Sequence, residues 1–466
     1  MRRSLPSVLG HLGLGLLLAA ATLSPARGVD EQPPNIVVFV ADDAGWSDFG
    51  AYGNRAVRTP NLDVLAASGV VFENAFLTTA SCSPSRISIL SGRYPHATGA
   101  EDLHSPLPEG VELLPSLLGR EGYFTGHMRK THYGPAGERQ FDWFSEGTWK
   151  GLPGFLDQAG ERPFFLWVGF RDPHRPYSAG AIDSPHDPVE VVVPPYLVDD
   201  AATRADLALY YDEIARMDDE IGRMLAELDR RELRKNTLVV FLSDNGAPFP
   251  RAKATAYDAG IRTPLIVSWP GVTPAGVRYA GLASVIDLAP TLLEAAGVEK
   301  PASFHGSSFA AALTDQSAPG REYVFAERNW HNCDEHIRTV RGVRYKLIRN
   351  AYTELPLCTP ADASRSPSWY SLTARREAGT LTPGQARLFE APRPVIEVYD
   401  LEADPHELVN LAGRPEVEQI ARQLSRVLDA WIEETEDFPA SRRRRADNTD
   451  RISGVKFSQE IPPLEP

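Results

Sequence analysis

Four dense apolar runs punctuate the first part of the chain, at residues 35–40, 163–170, 237–242 and 264–269. Each has the length of a strand, is rich in Val, Ile, Phe and Leu, and does not alternate with polar residues. That is the pattern of strands buried on both faces of a sheet. Helical spacing fills the gaps between them. Thr59-Pro60-Asn61-Leu62-Asp63 reads as a capped helix start closed by Gly69. Over 205–233, Leu207, Tyr210, Tyr211, Ile214, Met217, Ile221, Leu225 and Leu228 recur on one helical face. A further helix spans 287–296 and ends at Gly297. Strands alternating with helices predict an α/β domain, with a mostly parallel sheet sandwiched by helices.

The texture changes after about residue 310. Residues 323–326, 337–348 and 395–399 read as strands with few helices between them, followed by a helix over 415–434 with Val417, Ile420, Leu424, Val427 and Trp431 on one face. This predicts a smaller C-terminal α+β subdomain carrying an antiparallel sheet. The expected segmentation is a leader over 1–28, the α/β domain over 29–310, the subdomain over 311–440 and a solvated tail over 441–466 that includes Arg442 to Arg445. The total of 466 residues suits two domains.

Composition narrows the partners. The formal charge of −14 argues against general nucleic-acid binding, which requires a basic face, so an anionic partner would need positive charge gathered in a pocket. Arg2 and Arg3, the apolar stretch 12–23 and the small residues around Ala26 have the layout of a secretory leader, which is too short to span a membrane easily. The expected location is secreted or periplasmic, with no membrane attachment after cleavage. Of the three cysteines, Cys333 and Cys358 lie in one region and are able to form a disulfide, which leaves Cys82 unpaired.

The candidate chemistry follows the buried runs. Asp42-Asp43 comes after the first, Asp172-Pro173-His174 after the second and Ser243-Asp244-Asn245 after the third. Ligands of open α/β sheets bind outside the carboxyl ends of the strands. Asp42, Asp43, Asp244 and Asn245 supply hard oxygen donors and no sulfur, which suits Ca²⁺ and, second, Mg²⁺. Either pair alone would be read as helix and turn caps; together they favour a metal. In Ser81-Cys82-Ser83-Pro84-Ser85-Arg86, Ser83 can cap a helix and Pro84 suits its first turn. Cys82 then sits at a helix N-terminus that favours an anion, with Arg86 one turn in. A thiol beside a hard cation is a mismatch, whereas an oxygen nucleophile would fit.

Cys82-Ser83-Pro84-Ser85-Arg86 followed by Leu90-Ser91-Gly92-Arg93 resembles the signature of the formylglycine-dependent (type I) sulfatases, which have an alkaline-phosphatase-like fold. The segments 59–63, 122–125, 130–134, 287–293 and 397–405 resemble sulfatase segments in the same order, so the likeness runs from about 34 to 435. The resemblance implies that Cys82 is oxidised to formylglycine by a formylglycine-generating enzyme. It further implies that Asp42, Asp43, Asp244, Asn245 and the modified residue 82 hold one Ca²⁺. Arg86 and Lys130 would stabilise the formylglycine hydrate. His132 would take its proton so that sulfate leaves. His174 and Lys253 would bind the sulfate, and His174 or a neighbour would protonate the leaving group. The chemistry is coherent, because positive charge placed in advance meets the negative charge that grows on the sulfuryl oxygens, and covalent capture divides one hard displacement into two easier steps. One departure is Thr131, where many sulfatases carry an aromatic residue.

Residues 204–218, 236–250 and Asp172-Pro173-His174-Arg175 resemble the heparan N-sulfatase (sulfamidase) branch, although Lys253 stands where that branch has arginine, as in most O-sulfatases. The implied substrate is a sulfated saccharide, with N-sulfoglucosamine and O-sulfated polysaccharides both open. His331, Asp334 and His336 in the second subdomain are candidates for the sugar subsite. Rival readings are a two-zinc phosphatase or phosphodiesterase of the same superfold, a non-catalytic binding protein, and a hydrolase using Cys82 as a thiolate with His132.

Overall fold

The computed structural model describes residues 33–441; the leader over 1–28 and the tail beyond 441 lie outside the described residues. Eight strands form one sheet: β1 (Asn35–Ala41), β2 (Val70–Phe76), β3 (Phe124–Arg129), β4 (Trp143–Ser145), β5 (Phe164–Gly169), β6 (Thr237–Ser243), β7 (Arg262–Ser268) and β8 (Val277–Ser284). Their spatial order is β4-β3-β5-β1-β6-β7-β2-β8. All neighbours pair in parallel except β7, which runs antiparallel to both β6 and β2. The four apolar runs are β1, β5, β6 and β7. Alternate residues of β1 enter opposite cores: Ile36, Val38 and Val40 meet Trp167 and Val240 on one face, while Val37 and Phe39 meet Leu166, Val168 and Phe241 on the other. A strand buried on both faces has no polar side to display, so its sequence cannot alternate.

Helices cover both faces. Ala201–Arg230, capped by the Asp200 carboxylate accepting from Thr203 N, lays Tyr210, Ile214, Met217 and Ile221 on one core. Leu288–Ala296 packs on the other and ends at Gly297 in the left-handed region.

The second sheet is antiparallel and contains β9 (Val324–Arg328), β10 (Ile337–Arg341), β11 (Tyr345–Asn350) and β12 (Ile396–Asp400), in the order β12-β11-β10-β9. The single run expected over 337–348 is the β10–β11 hairpin. The helix Glu418–Glu434 covers this sheet through Leu424, Leu428 and Trp431. The helix Pro367–Glu377 has no counterpart in the sequence expectation; its face is short and it is set by Ser366, whose hydroxyl accepts from Trp369 N. Cys333 and Cys358 are joined in a disulfide. Among the described residues no helix is long and apolar enough to cross a membrane.

Where the second sheet meets the first, charge is buried. His96 Nδ1 lies 2.5 Å from Glu327 Oε2, and its Nε2 lies 3.1 Å from the Thr435 carbonyl. Arg338 pairs with Asp437, and the Trp431 ring stands edge-on to His96 at 5.4 Å. Burial alone would raise the Glu327 carboxyl, but His96 and Arg338 hold it down to about 2. Burial opposes a charged His96, yet Glu327 and Asp437 raise it above its ordinary value. Glu327 therefore contributes stability above its ordinary 4.5 and loses it as pH falls towards 2. His96 contributes below 6.5 and loses it as pH climbs through its raised value. Together they are strongest between pH 4.5 and 6.5. Glu327→Gln should cost about 3 kcal/mol in that window and clearly less near about pH 9, measured by urea unfolding across pH. A cost that does not vary with pH would refute the ion-pair account.

Candidate active site

The polar clusters meet because their strands end on one edge of the sheet. β1 and β6 pair in register to Ala41 and Ser243, so Asp42 and Asp244 are the next residues on adjacent strands. Asp43 N donates to Asp244 Oδ1 (3.2 Å), and Ala44 N to Ser243 Oγ (2.9 Å). Asp42 N donates to the Asp172 carbonyl (3.0 Å), which brings in the loop after β5. Lys130 N donates to the Gly169 carbonyl (2.9 Å), which brings in the loop after β3. The approach at Gly169 is close enough that a Cβ would stand 2.1 Å from the Lys130 carbonyl oxygen and 2.6 Å from Arg86 Nη1. Only glycine fits there.

Cys82 opens the helix Cys82–Ser91 after the chain leaves β2. The helix begins two residues earlier than a Ser83 cap would place it. Ser81 is the extended N-cap residue, and the Ser83 hydroxyl instead accepts from His104 N (2.9 Å). Pro84 thus falls at the third helical position, where its missing N–H is still one the helix cannot use. The thiol sits at the foot of a cavity of about 430 Å³ lined by Cys82, Leu103, His104, Lys130, His132, His174, Lys253, Trp330, His331, Asn332, Ala361 and Asp362.

Three hard oxygens converge on the sulfur: Asn245 Oδ1 at 3.3 Å and one oxygen each of Asp42 and Asp43 at 3.9 Å. Asp42, Asp43, Asp244 and Asn245 are all buried. Each carboxylate has its own cation. Lys130 Nζ reaches Asp42 (2.6 Å), Lys253 Nζ reaches Asp43 (2.7 Å) and Arg86 Nε reaches Asp244 (2.7 Å). Burial alone would raise Asp42, but Lys130 and Arg86 hold it well below the usual carboxylate range. Burial opposes a charged Lys253, yet Asp43 raises it well above its ordinary value. The mutual repulsion of the acids is thus met by protein cations, and charge balance alone does not demand a metal. The donor set is what fits one: hard oxygens of Asp42, Asp43 and Asn245 aimed at a single point suit Ca²⁺. Asp244, next to them, accepts from Arg86 through one oxygen and from the Asp43 amide through the other, as both oxygens of Asp42 accept from Lys130 and those of Asp43 from Asn245 and Lys253.

Burial pushes the Cys82 thiol up to about 12. A thiolate is strongly disfavoured, which counts against the cysteine-hydrolase reading. Arg86 Nη2 and His132 Nδ1 are buried without a protein partner, leaving hydrogen-bonding capacity for a ligand. His132 Nε2 bonds His104 Nδ1 at 2.8 Å. Burial, then the charge of Lys130, pushes His132 down to about 2, so it is neutral. His174 Nδ1 donates to the Arg175 carbonyl (2.5 Å), which leaves Nε2 for chemistry.

The family model described as sulfatase matches residues 34–150 and 148–298, and that described as N-sulphoglucosamine sulphohydrolase, C-terminal, matches 251–361. The chain is 33% identical to human N-sulphoglucosamine sulphohydrolase over 87% of its length and 91% of that protein. It belongs to the sulfatase family. It is also 29% identical to an ulvan-active sulfatase of Formosa agariphila, over 86% of this chain and 75% of that one. Two solved structures share the fold. One, in complex with its substrate D-glucosamine-2-N,6-O-disulfate, has a TM-score of 0.67 at 21% identity and covers 87% of this chain and 99% of its own. The other, a 2-O GAG sulfatase, has a TM-score of 0.67 at 22% identity and covers 93% and 99%.

The sulfatase fold brings most of the expected residues together, and His331 joins them, its Nδ1 bonded to Ser81 Oγ at 2.8 Å. Asp334 and His336 do not line the cavity. His336, inside the disulfide-closed segment, has Nε2 on the Phe438 carbonyl (3.1 Å) and its ring near Tyr352. Sequence reasoning missed His104 and Asp362. Neither sits in a patterned segment, and each reaches the site only through long-range folding. Lys253 bridges Asp43 and Asp362, at 2.7 Å from each.

With only 3% of its surface exposed, the Cys82 thiol in unmodified folded protein should resist iodoacetamide and react fully once denatured. Peptide mapping of the alkylated protein measures this; rapid labelling of the native form would contradict the buried, protonated thiol.

Proposed function

We propose that this sulfatase hydrolyses sulfate groups from sulfated saccharides, N-sulfoglucosamine first among them, using formylglycine made from Cys82 together with Ca²⁺. The observation that carries this reading is the convergence of oxygen donors and cations on residue 82 at the foot of an open cavity. The identity to the human N-sulphoglucosamine sulphohydrolase supports the N-sulfated substrate. Lys253 and the likeness to an ulvan-active sulfatase favour the second reading, an O-sulfatase on another polysaccharide.

Formylglycine at position 82, as its hydrate, would supply the attacking oxygen. Ca²⁺ held by Asp42, Asp43, Asp244 and Asn245 would supply fixed positive charge for the sulfuryl oxygens. The chain's own groups do the rest. Lys253 and His174 bind the sulfate, with Lys130 and Arg86 adding charge that is already in place before reaction. His174 Nε2 is the nitrogen able to protonate the leaving atom, because Nδ1 is tied to a carbonyl. His132, neutral and paired with His104, accepts the proton that must leave residue 82. His331 and Trp330 form the sugar-facing wall. We further take residues 29–310 as the catalytic domain, 311–440 as the subdomain, and the leader as directing the protein to the periplasm or outside the cell.

Two measurements test this reading. Mass spectrometry of the tryptic peptide containing Cys82, from protein co-expressed with a formylglycine-generating enzyme, should show the aldehyde; an unmodified cysteine there would remove the proposed nucleophile. Calcium chelation should cut sulfatase activity by about tenfold or more, with recovery on adding Ca²⁺. Recovery with zinc instead would favour the phosphatase relatives of the superfold.

A further inference from the structure

The cavity contains one group that an anion-binding site should avoid, the carboxylate of Asp362. Its Oδ1 accepts from Ala363 N (2.8 Å) and its Oδ2 accepts from Lys253 Nζ (2.7 Å). The same Oδ2 lies 3.8 Å from His174 Nε2, the nitrogen assigned to the leaving atom. The side chain is 19% exposed, and what it exposes faces the cavity. Nothing in the sulfate chemistry needs this acid. Lys253 and His174 already have Asp43 as a partner, at 2.7 and 3.7 Å.

A carboxylate beside the leaving atom distinguishes the two kinds of sulfate. The bridging nitrogen of a sulfamate carries a hydrogen, which Asp362 can accept. The bridging oxygen of a sulfate ester carries only lone pairs, which Asp362 repels. When the S–N bond breaks, the electron pair stays on nitrogen, which takes the His174 proton, and the departing amine gains a third proton from water and then faces an opposite charge. An alcohol leaving group gains nothing comparable. We propose that Asp362 is a specificity-determining residue that selects N-sulfate over O-sulfate by accepting the N–H of the scissile sulfamate; this rests on the N-sulfoglucosamine reading of the same cavity. Sites that hydrogen-bond a substrate N–H reject analogues lacking it far more strongly than apolar pockets reject shape, and the repulsive half of the device is specificity by disfavouring the wrong partner.

The test compares kcat/KM on N-sulfoglucosamine and on N-acetylglucosamine 6-O-sulfate, using formylglycine-matured wild type, Asp362→Asn and Asp362→Ala. Both substrates are measured on one preparation, so their ratio is independent of how much of a variant folds. Wild type should prefer the N-sulfate, and both substitutions should lower the N/O ratio by about tenfold or more. An equal fall on both substrates would overturn the proposal alone, since Asp362 would then act only by holding Lys253 and His174. Wild type that cleaves the O-sulfate and leaves the sulfamate intact would overturn the N-sulfate reading and the proposal with it.

Discussion

The in-register parallel pairing of β1 with β6 is the constraint on which the site depends. It delivers Asp42 and Asp43 from one strand and Asp244 and Asn245 from its neighbour to one point, all buried. Acids so placed are unstable unless opposite charge is built in. The molecule supplies it from three different segments: Lys130 after β3, Lys253 from the loop beyond β6, and Arg86 one turn into the helix that begins at Cys82. The three cations are therefore structural and chemical at once. Lys130 and Arg86 hold the Asp42 carboxyl down against the pull of burial, and the three cations together provide the positive field that a sulfuryl group would enter.

Backbone geometry shows the same pressure. Asp43, Arg129, His132 and Ala254, all at or beside the site, adopt positive φ without being glycine. Such conformations persist only where surrounding contacts impose them, and they cluster where side chains must be aimed. His104 is held likewise at φ 67° and is pinned by Ser83, so the His104–His132 pair is fixed from both sides.

Much of this was legible in the sequence. β1, β5, β6 and β7 announce themselves because burial on both faces forbids polar residues. The charged residues just beyond them stand out against those runs, and the segment around Cys82 is distinctive enough to carry a family resemblance. β2 was not legible, since Glu73 and Asn74 interrupt it at an irregularity in its pairing. Nor was β3, whose Thr125, Gly126 and His127 belong to no apolar run although all three are buried. The far wall of the cavity was only partly legible. His331 was found from local residue types, but the same reasoning put Asp334 and His336 beside it. Asp362 was missed because its role is set by Lys253, which lies 109 residues away in the chain.

The disulfide between Cys333 and Cys358 closes a loop next to that far wall. Trp330, His331 and Asn332 come just before the loop, and Ala361 and Asp362 just after it. The reactive end of the cavity, by contrast, is anchored on strand termini of the large sheet. The floor of the cavity and its far wall are thus separate inheritances. The enclosed segment carries the β10–β11 hairpin, so the tie fixes the wall to the second sheet; substitutions at 330–332 and 361–362 can reshape that wall while the strand ends stay untouched, so its outline is free to diverge over evolutionary time faster than the floor.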